Sequence, residues 1–206
     1  MIILGIETSC DETSAAVVED GNLLCNVVYT QEIHSQYGGV VPEVASREHD
    51  VHIHTVVTAA VDKASICLAD LDAVAVTYGP GLMGTLLVGL NYAKGLSIGL
   101  NIPFIGVNHM EGHLFANLID NPGFNYPFLC LLVSGGHTQI WDVNRFGDYH
   151  RLSNTCDDAA GEAFDKGARI MGLGYPGGPE IQKQAIGGQV DKYQFTIPKV
   201  RKNPMD

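Results

Sequence analysis

Two histidines four residues apart, in His109-Met110-Glu111-Gly112-His113, are the residues of this sequence best spaced for chemistry. On an α-helix, four steps bring a side chain back to within about 40° of its starting direction, so both imidazoles face one side. Helices present histidine pairs to a transition metal at this spacing. The same spacing also describes a surface pair at a helix start. Two ligands are too few, and a carboxylate from elsewhere would complete a facial set. Glu111 is turned roughly 160° away by helical steps. The order also departs from H-E-x-x-H, in which the glutamate beside the first histidine is the base of a metalloprotease.

Other segments carry polar groups in patterns that could serve a ligand. Glu7-Thr8-Ser9-Cys10-Asp11-Glu12-Thr13 sets three carboxylates and three hydroxyls just past an apolar run. Carboxylates there can hold a cation, orient water or act as a general base; a solvated acidic turn has the same composition. Ser134-Gly135-Gly136-His137-Thr138 places consecutive glycines between two strands, where backbone N–H groups can converge on an anion. It matches no P-loop pattern, and an ordinary glycine hairpin reads the same way. Gly172 to Pro179 follows a helix containing Asp165, with Gly174 as a helix cap and Gly177-Gly178 open to something flat such as a nucleoside. As a plain helix–helix turn it needs no ligand. Tyr37-Gly38-Gly39 leads into a helix with Glu43, Arg47 and His49 in its first turns, which reads as structural.

The elements that must position these groups follow from hydrophobic period and turn residues. Strands are expected at 1–6, 14–20 and 22–30, the last two joined by the Asp20-Gly21-Asn22 hairpin signal. A helix over 42–64, a strand at 73–77, a helix over 82–100, a strand at 102–107 and a helix from 109 follow. The pattern then restarts: strands at 128–133, 138–143 and 149–153, and a helix over 157–173. Strand, polar turn, hairpin and helix thus occur twice, roughly 125 residues apart. The repeat predicts two α/β lobes of one design, 1–108 and 109–206. The stretch after Tyr193, with Pro198 and Pro204, supplies no closing helix or strand, so the second lobe is expected to be incomplete.

Composition narrows the function classes. Of 206 residues, 46% are hydrophobic and 17% charged, which excludes a disordered chain. The net charge is −11. Residues 1–100 hold twelve acids and three bases (Arg47, Lys63, Lys94), a poor phosphate-backbone surface by itself. Lys192, Lys199, Arg201 and Lys202 fall in the last fifteen residues. Five cysteines, none in a C-x-x-C pair, suit free thiols in a reducing cytoplasm. No 18-residue apolar run calls for a membrane. A first strand starting at residue 2 leaves no room for a leader.

Taken together, ILGIETSCDET (3–13), YGGVVPEVASR (37–47), Gly79–Gly81 with Leu87–Gly89, HMEGH (109–113), LVSGGHTQ (132–139), DDAAGEAFDK (157–166) and YPGGP (175–179) resemble the tRNA threonylcarbamoyladenosine synthase family. Its bacterial members, TsaD or Gcp, long carried the label O-sialoglycoprotein endopeptidase. The resemblance implies a two-lobed, actin-like (ribonuclease H-like) ATPase architecture. It implies transfer of a threonylcarbamoyl group from threonylcarbamoyl-AMP to the N6 amine of the tRNA adenosine adjacent to the anticodon. By the same resemblance, His109 and His113 match the ligands of iron (Fe2+) or zinc. Leu132, Val133, Ser134, Gly135 and Gly136 match the substrate loop. Asp165 and Gly178 match nucleoside-binding positions, for threonylcarbamoyl-AMP, ATP or AMP. Asp11 and Glu12 match the acidic turn facing the active site. Implied partners are tRNA, a non-catalytic paralogue of the same fold and a small ATPase. Family members run past residue 206, where a third metal ligand, an Asp, and a substrate-binding Asn lie. Two other readings stand beside the transferase: the metalloprotease of the old label, and, given that departure, a non-catalytic binding fragment or scaffold.

Overall fold

Asp20 and Gly21 both take positive φ, 47° and 84°, the backbone of a two-residue hairpin turn whose twist matches that of its strands. In the computed structural model, which describes residues 1–121 and 123–196, this turn joins β2 (Glu12–Glu19) to β3 (Asn22–Thr30). β1 (Ile2–Glu7) pairs antiparallel with β2, from Ile2↔Glu19 to Glu7↔Ser14. The chain then crosses over through α1 (Pro42–Lys63) to β4 (Ala73–Gly79), which lies parallel to β1 on its other side. α2 (Met83–Leu100) leads to β5 (Phe104–Asn108), parallel to β4, and β5 runs directly into α3 (His109–Asp120). The five-stranded sheet has the order β3-β2-β1-β4-β5.

Alternation along the strands decides which face is core. Leu4 and Ile6 of β1, Ala15 and Val17 of β2, and Val74 and Val76 of β4 are buried under Ile53, Val56, Val57, Ala60 and Val61 of α1. Each of the Val, Leu and Ile side chains among them contributes about 1.5–3 kcal/mol when fully buried. Gly5 and Glu7 point to the opposite face, as do Ser14, Ala16, Ala75 and Thr77. Pro42 sits at the first position of α1, where a missing N–H costs nothing. Asn101 closes α2 in the left-handed region, its N–H reaching the carbonyls of Ile98 and Ser97.

A second unit begins at Gly123. β6 (Phe128–Val133), β7 (Thr138–Arg145) and β8 (Asp148–Asn154) form an antiparallel sheet in that order. α4 (Ala160–Ile170) and α5 (Gly177–Ala185) pack on each other. The meander repeats that of β1, β2 and β3. Each first strand pairs antiparallel with the second across a polar turn, closing at Glu7↔Ser14 and at Val133↔Thr138. Each second strand also meets a bulge against the third, at Val17/Val18 and at Ile140/Trp141.

Several expectations are corrected. The units part between Pro122 and Gly123 rather than after residue 108. α3 belongs with the first unit because it packs on β4 and β5 and buries Leu114 completely. α4 is shorter than 157–173. The Thr138 hydroxyl accepts from Ala160 N at its start, and Gly172 at φ 71° ends it, with Leu173 N bonding the Ala168 carbonyl. Residues 177–179 are not a plain turn but the first turn of α5, where glycines and a proline are tolerated because the first N–H groups have no helical partner. The expected segment of Pro198, Lys199, Arg201, Lys202 and Pro204 lies outside the described residues. All five cysteines are free thiols, with Cys25 and Cys130 buried.

Two glycines mark where backbone crowds backbone. A Cβ on Gly81 would lie 2.7 Å from the Ser9 carbonyl oxygen, and one on Gly161 would lie 2.7 Å from Gly135 Cα. A Cβ on Gly135 or Gly136 would meet open space. We expect Gly81→Ala and Gly161→Ala each to lower stability by about 1–3 kcal/mol through forced backbone shifts. Gly135→Ala should stay within about 0.5 kcal/mol of the parent. Urea unfolding of the three variants checks both.

Candidate active site and metal-binding pair

β1 delivers Glu7 to the carboxyl end of the sheet on the face away from α1. Its Oε1 accepts from Ser9 N at 2.5 Å. Its Oε2 accepts from the Thr77 hydroxyl at the end of β4, and from His109 Nδ1 at 3.3 Å. Ser9 Oγ stands 3.2 Å from the same Nδ1. Burial pushes the Glu7 carboxyl up, but the bonds from His109, Ser9 and Thr77 outweigh it and hold the group down at about 2. Glu7 is ionised over the whole physiological range.

His109 is the first residue of α3, which Asn108 caps by accepting from Met110 N at 2.9 Å. One turn on, His113 brings its Nε2 to 3.0 Å from His109 Nε2. The rings meet edge to face, at 82° with centroids 4.5 Å apart. Two nitrogens bound at about 2.1 Å to one metal are about 3.0 Å apart at a right angle and about 3.4 Å apart at the tetrahedral angle of zinc. The pair as it stands therefore suits two neighbouring ligands of an octahedral ion such as iron, and a few tenths of an ångström of opening would suit zinc. Among the described residues no group of three or more His, Cys, Asp or Glu is gathered for a metal. A cavity of about 510 Å³ opens beside the pair, lined by Glu7, Thr77, His109 and His113 with a floor of Gly5, Ala16 and Ala75.

The acidic turn is pinned from four sides. The Thr8 hydroxyl donates to the Thr85 carbonyl at 2.9 Å, and Leu82 N donates to the Ser9 carbonyl at 2.8 Å. Gln31 N donates to the Asp11 carbonyl at 3.1 Å. His49, fully buried on α1, completes the set: its Nε2 donates to the Cys10 carbonyl at 3.0 Å, leaving Nδ1 to accept from the Thr13 hydroxyl at 2.7 Å. Burial holds His49 below the usual histidine range, against the pull of that carbonyl and of Glu7 and Asp11. In the sequence His49 belongs to a stretch that reads as structural, and Glu7 is one of three like carboxylates with nothing local to set it apart. Glu12, the first residue of β2, is raised above the usual carboxylate range by burial, then by Asp11 and Glu7, with His109 opposing. Asp11, Glu12, His109 and His113 are therefore brought into the same unit.

In the second unit the Ser134–Thr138 turn is closed by Ser134 N to the His137 carbonyl at 2.8 Å and by His137 N to Ser134 Oγ at 3.1 Å. Neither Gly135 nor Gly136 adopts positive φ, so the expected alternating nest of N–H groups is not formed. The first two N–H groups of α4 are taken up by the turn itself, Ala160 N by the Thr138 hydroxyl at 2.8 Å and Gly161 N by the Ser134 carbonyl at 3.2 Å. Leu132 is buried with its side chain in the core, whereas Val133 is exposed. Asp165, one helical turn beyond Gly161, accepts from Gly177 N at 2.7 Å. That bond fixes Gly178, whose missing side chain leaves open space.

The chain is thus an α/β protein of the actin-like, ribonuclease H-like type, with a polar turn at the end of the first strand in each unit. Among solved structures it is similar to component A of the (R)-2-hydroxyglutaryl-CoA dehydratase of Acidaminococcus fermentans. That likeness has a TM-score of 0.54 at 13% identity, covers 99% of this chain and 64% of that one, and bears on the fold alone. The family model TsaD, tRNA N6-adenosine threonylcarbamoyltransferase, matches residues 22–206, and the chain belongs to this family. It is 55% identical over 199 residues to the tRNA N6-adenosine threonylcarbamoyltransferase of Caldicellulosiruptor bescii, covering 96% of this chain and 59% of that protein. It is 57% identical over 196 residues to the same-named protein of Clostridium perfringens, covering 94% and 58%. The chain therefore spans less than two thirds of the length of these relatives. No described helix is long and apolar enough to cross a membrane.

The depressed Glu7 fixes a pH dependence. Its contribution to stability is complete above the ordinary carboxylate value of 4.5 and is lost as pH falls from there towards about 2. Glu7→Gln should cost about 1–2 kcal/mol at pH 7, as expected of a charged acceptor partly open to water. The gap between parent and variant should close progressively below pH 4.5, in urea titrations run at pH 7, 4 and 2.5.

Proposed function

We propose that this chain carries residues for transfer of a threonylcarbamoyl group from threonylcarbamoyl-AMP to the N6 amine of the adenosine beside the anticodon in tRNA. The observation that carries the reading is the family match over residues 22–206. The convergence of the His109 and His113 Nε2 atoms at 3.0 Å, and a raised carboxyl, Glu12, that feels the charge of His109, support it.

His109 and His113 would hold iron or zinc, which when bound supplies a Lewis acid for the carbamoyl carbonyl. In the reaction the N6 nitrogen forms a bond to the carbamoyl carbon. The bond from that carbon to the phosphate oxygen breaks, and AMP leaves with its electron pair. Glu12, or Asp11 beside it, takes the proton lost by the amine. A carboxylate raised towards neutrality is a better base than an ordinary one. The Ser134–Gly136 loop suits the phosphate, because it lies against the positive start of α4, whose Gly161 N it bonds. Asp165 and Gly178 suit the nucleoside. The partners that go with this reading are tRNA, a non-catalytic paralogue of the same fold and a small ATPase; its place is the cytoplasm. Met110 is buried where a zinc protease of the H-E-x-x-H type would have its glutamate, which disfavours peptide hydrolysis.

Calorimetric titration with AMP tests the nucleotide site. Gly136→Val should weaken AMP binding at least tenfold while the circular dichroism stays that of the parent, since a Cβ at this position meets open space. Unchanged affinity would move the phosphate elsewhere. Chelator-sensitive peptide cleavage without AMP binding would favour the protease. In transfer assays with labelled threonylcarbamoyl-AMP and tRNA, Glu12→Gln should lower kcat by 10²–10⁴, the usual yield of a positioned base.

A further inference from the structure

We propose that Glu7 is a positioning residue: its carboxylate holds the His109 ring as the Nδ1–H tautomer and so directs the Nε2 lone pair to the point it shares with His113. The inference deepens the reading of the two histidines as metal ligands and rests on it. A carboxylate accepts and cannot donate. With Glu7 Oε2 at 3.3 Å from Nδ1, a proton kept on Nδ1 gains a charge-assisted bond, and Ser9 Oγ at 3.2 Å, a hydroxyl that can accept as well as donate, is compatible with it. Nε2 is then left unprotonated, as a metal ligand must be. In free neutral histidine the Nε2–H form is the commoner one, and it would block that position.

The carboxylate cannot swing away from this task. Ser9 N holds Oε1 and the Thr77 hydroxyl holds Oε2, so donors from the end of β1 and from β4 fix the plane that His109 must meet. The ring is anchored at the other side by its place at the start of α3, whose cap is set by Asn108. A metal-ligating histidine whose second nitrogen bonds a carboxylate has a fixed orientation and greater basicity, and loss of such a partner typically costs 10- to 100-fold in metal affinity.

The test uses the chain labelled with ¹⁵N in histidine, as parent, Glu7→Gln, Glu7→Ala and His113→Ala. Long-range ¹H–¹⁵N spectra at pH 7.5 read the His109 tautomer, and titration with Co²⁺ alone, followed by its visible absorption, reads the affinity of the pair. The parent should show His109 as Nδ1–H. Glu7→Ala should shift the ring towards Nε2–H and weaken Co²⁺ binding towards 100-fold. Glu7→Gln keeps the size of the side chain, covers the case in which the alanine variant does not fold, and should weaken binding about tenfold. A parent ring in the Nε2–H form overturns the proposal. So do an unchanged tautomer and unchanged Co²⁺ affinity in the folded glutamine variant. Co²⁺ binding that is absent in the parent, or unaffected by His113→Ala, removes the metal reading instead, and the tautomer spectra then still decide what Glu7 does.

Discussion

An ionised carboxylate at the end of a central parallel strand must be met by donors or lose its charge. Glu7 is met by three: a main-chain N–H two residues on, a hydroxyl from the neighbouring strand and an imidazole from the helix beyond β5. The farthest of these donors lies 102 residues from Glu7 in the chain. The strand order β2-β1-β4-β5 is what makes them neighbours, because β1 and β4 run parallel and end together. The backbone of the acidic turn at Ser9 and the aim of His109 both depend on where this carboxylate sits.

The buried His49 does for the turn what Glu7 does for the helix. Its two nitrogens bond groups three residues apart, the Cys10 carbonyl and the Thr13 hydroxyl. A neutral imidazole suits this place, because it donates at one edge and accepts at the other without bringing a charge into the core. The turn that presents Asp11 and Glu12 is therefore held by its own backbone, and both carboxylates remain available at the surface of the sheet's carboxyl end.

Much of the architecture was legible in the sequence. The apolar run of 1–6, the β-rich segments 14–20 and 22–30 and the Asp20-Gly21-Asn22 turn between them are local signals, and the strand and the hairpin they announce are present. The two-histidine spacing likewise survives into three dimensions, since one helical turn is enough to specify it. What the sequence could not show are relations across long separations. Glu7 looked like one acid among three until Thr77 and His109 came beside it. α5 was hidden because glycines and a proline in its first turn mimic a loop. α3 was assigned to the wrong unit because its contacts with β4 and β5, and the burial of Leu114, leave no mark in its own residues. The glycines of 135–136 drew the eye, but the steric demand lies at Gly161, whose neighbour in space is 26 residues away in the chain.

That displacement bears on how such a sequence can drift. At Gly161 and Gly81 the obstacle to a side chain is main chain, Gly135 Cα in one case and the Ser9 carbonyl in the other. No exchange at a second position removes main chain, so these two sites admit no compensating partner and stay fixed for as long as the turns do. Gly89 is a different case, because its obstacle is the Thr8 hydroxyl, a side-chain atom. There a smaller residue at position 8 frees room for a larger one at 89, and the two positions can change hands together. Invariant glycines and co-varying ones are thus separated by whether a neighbour offers its backbone or its side chain.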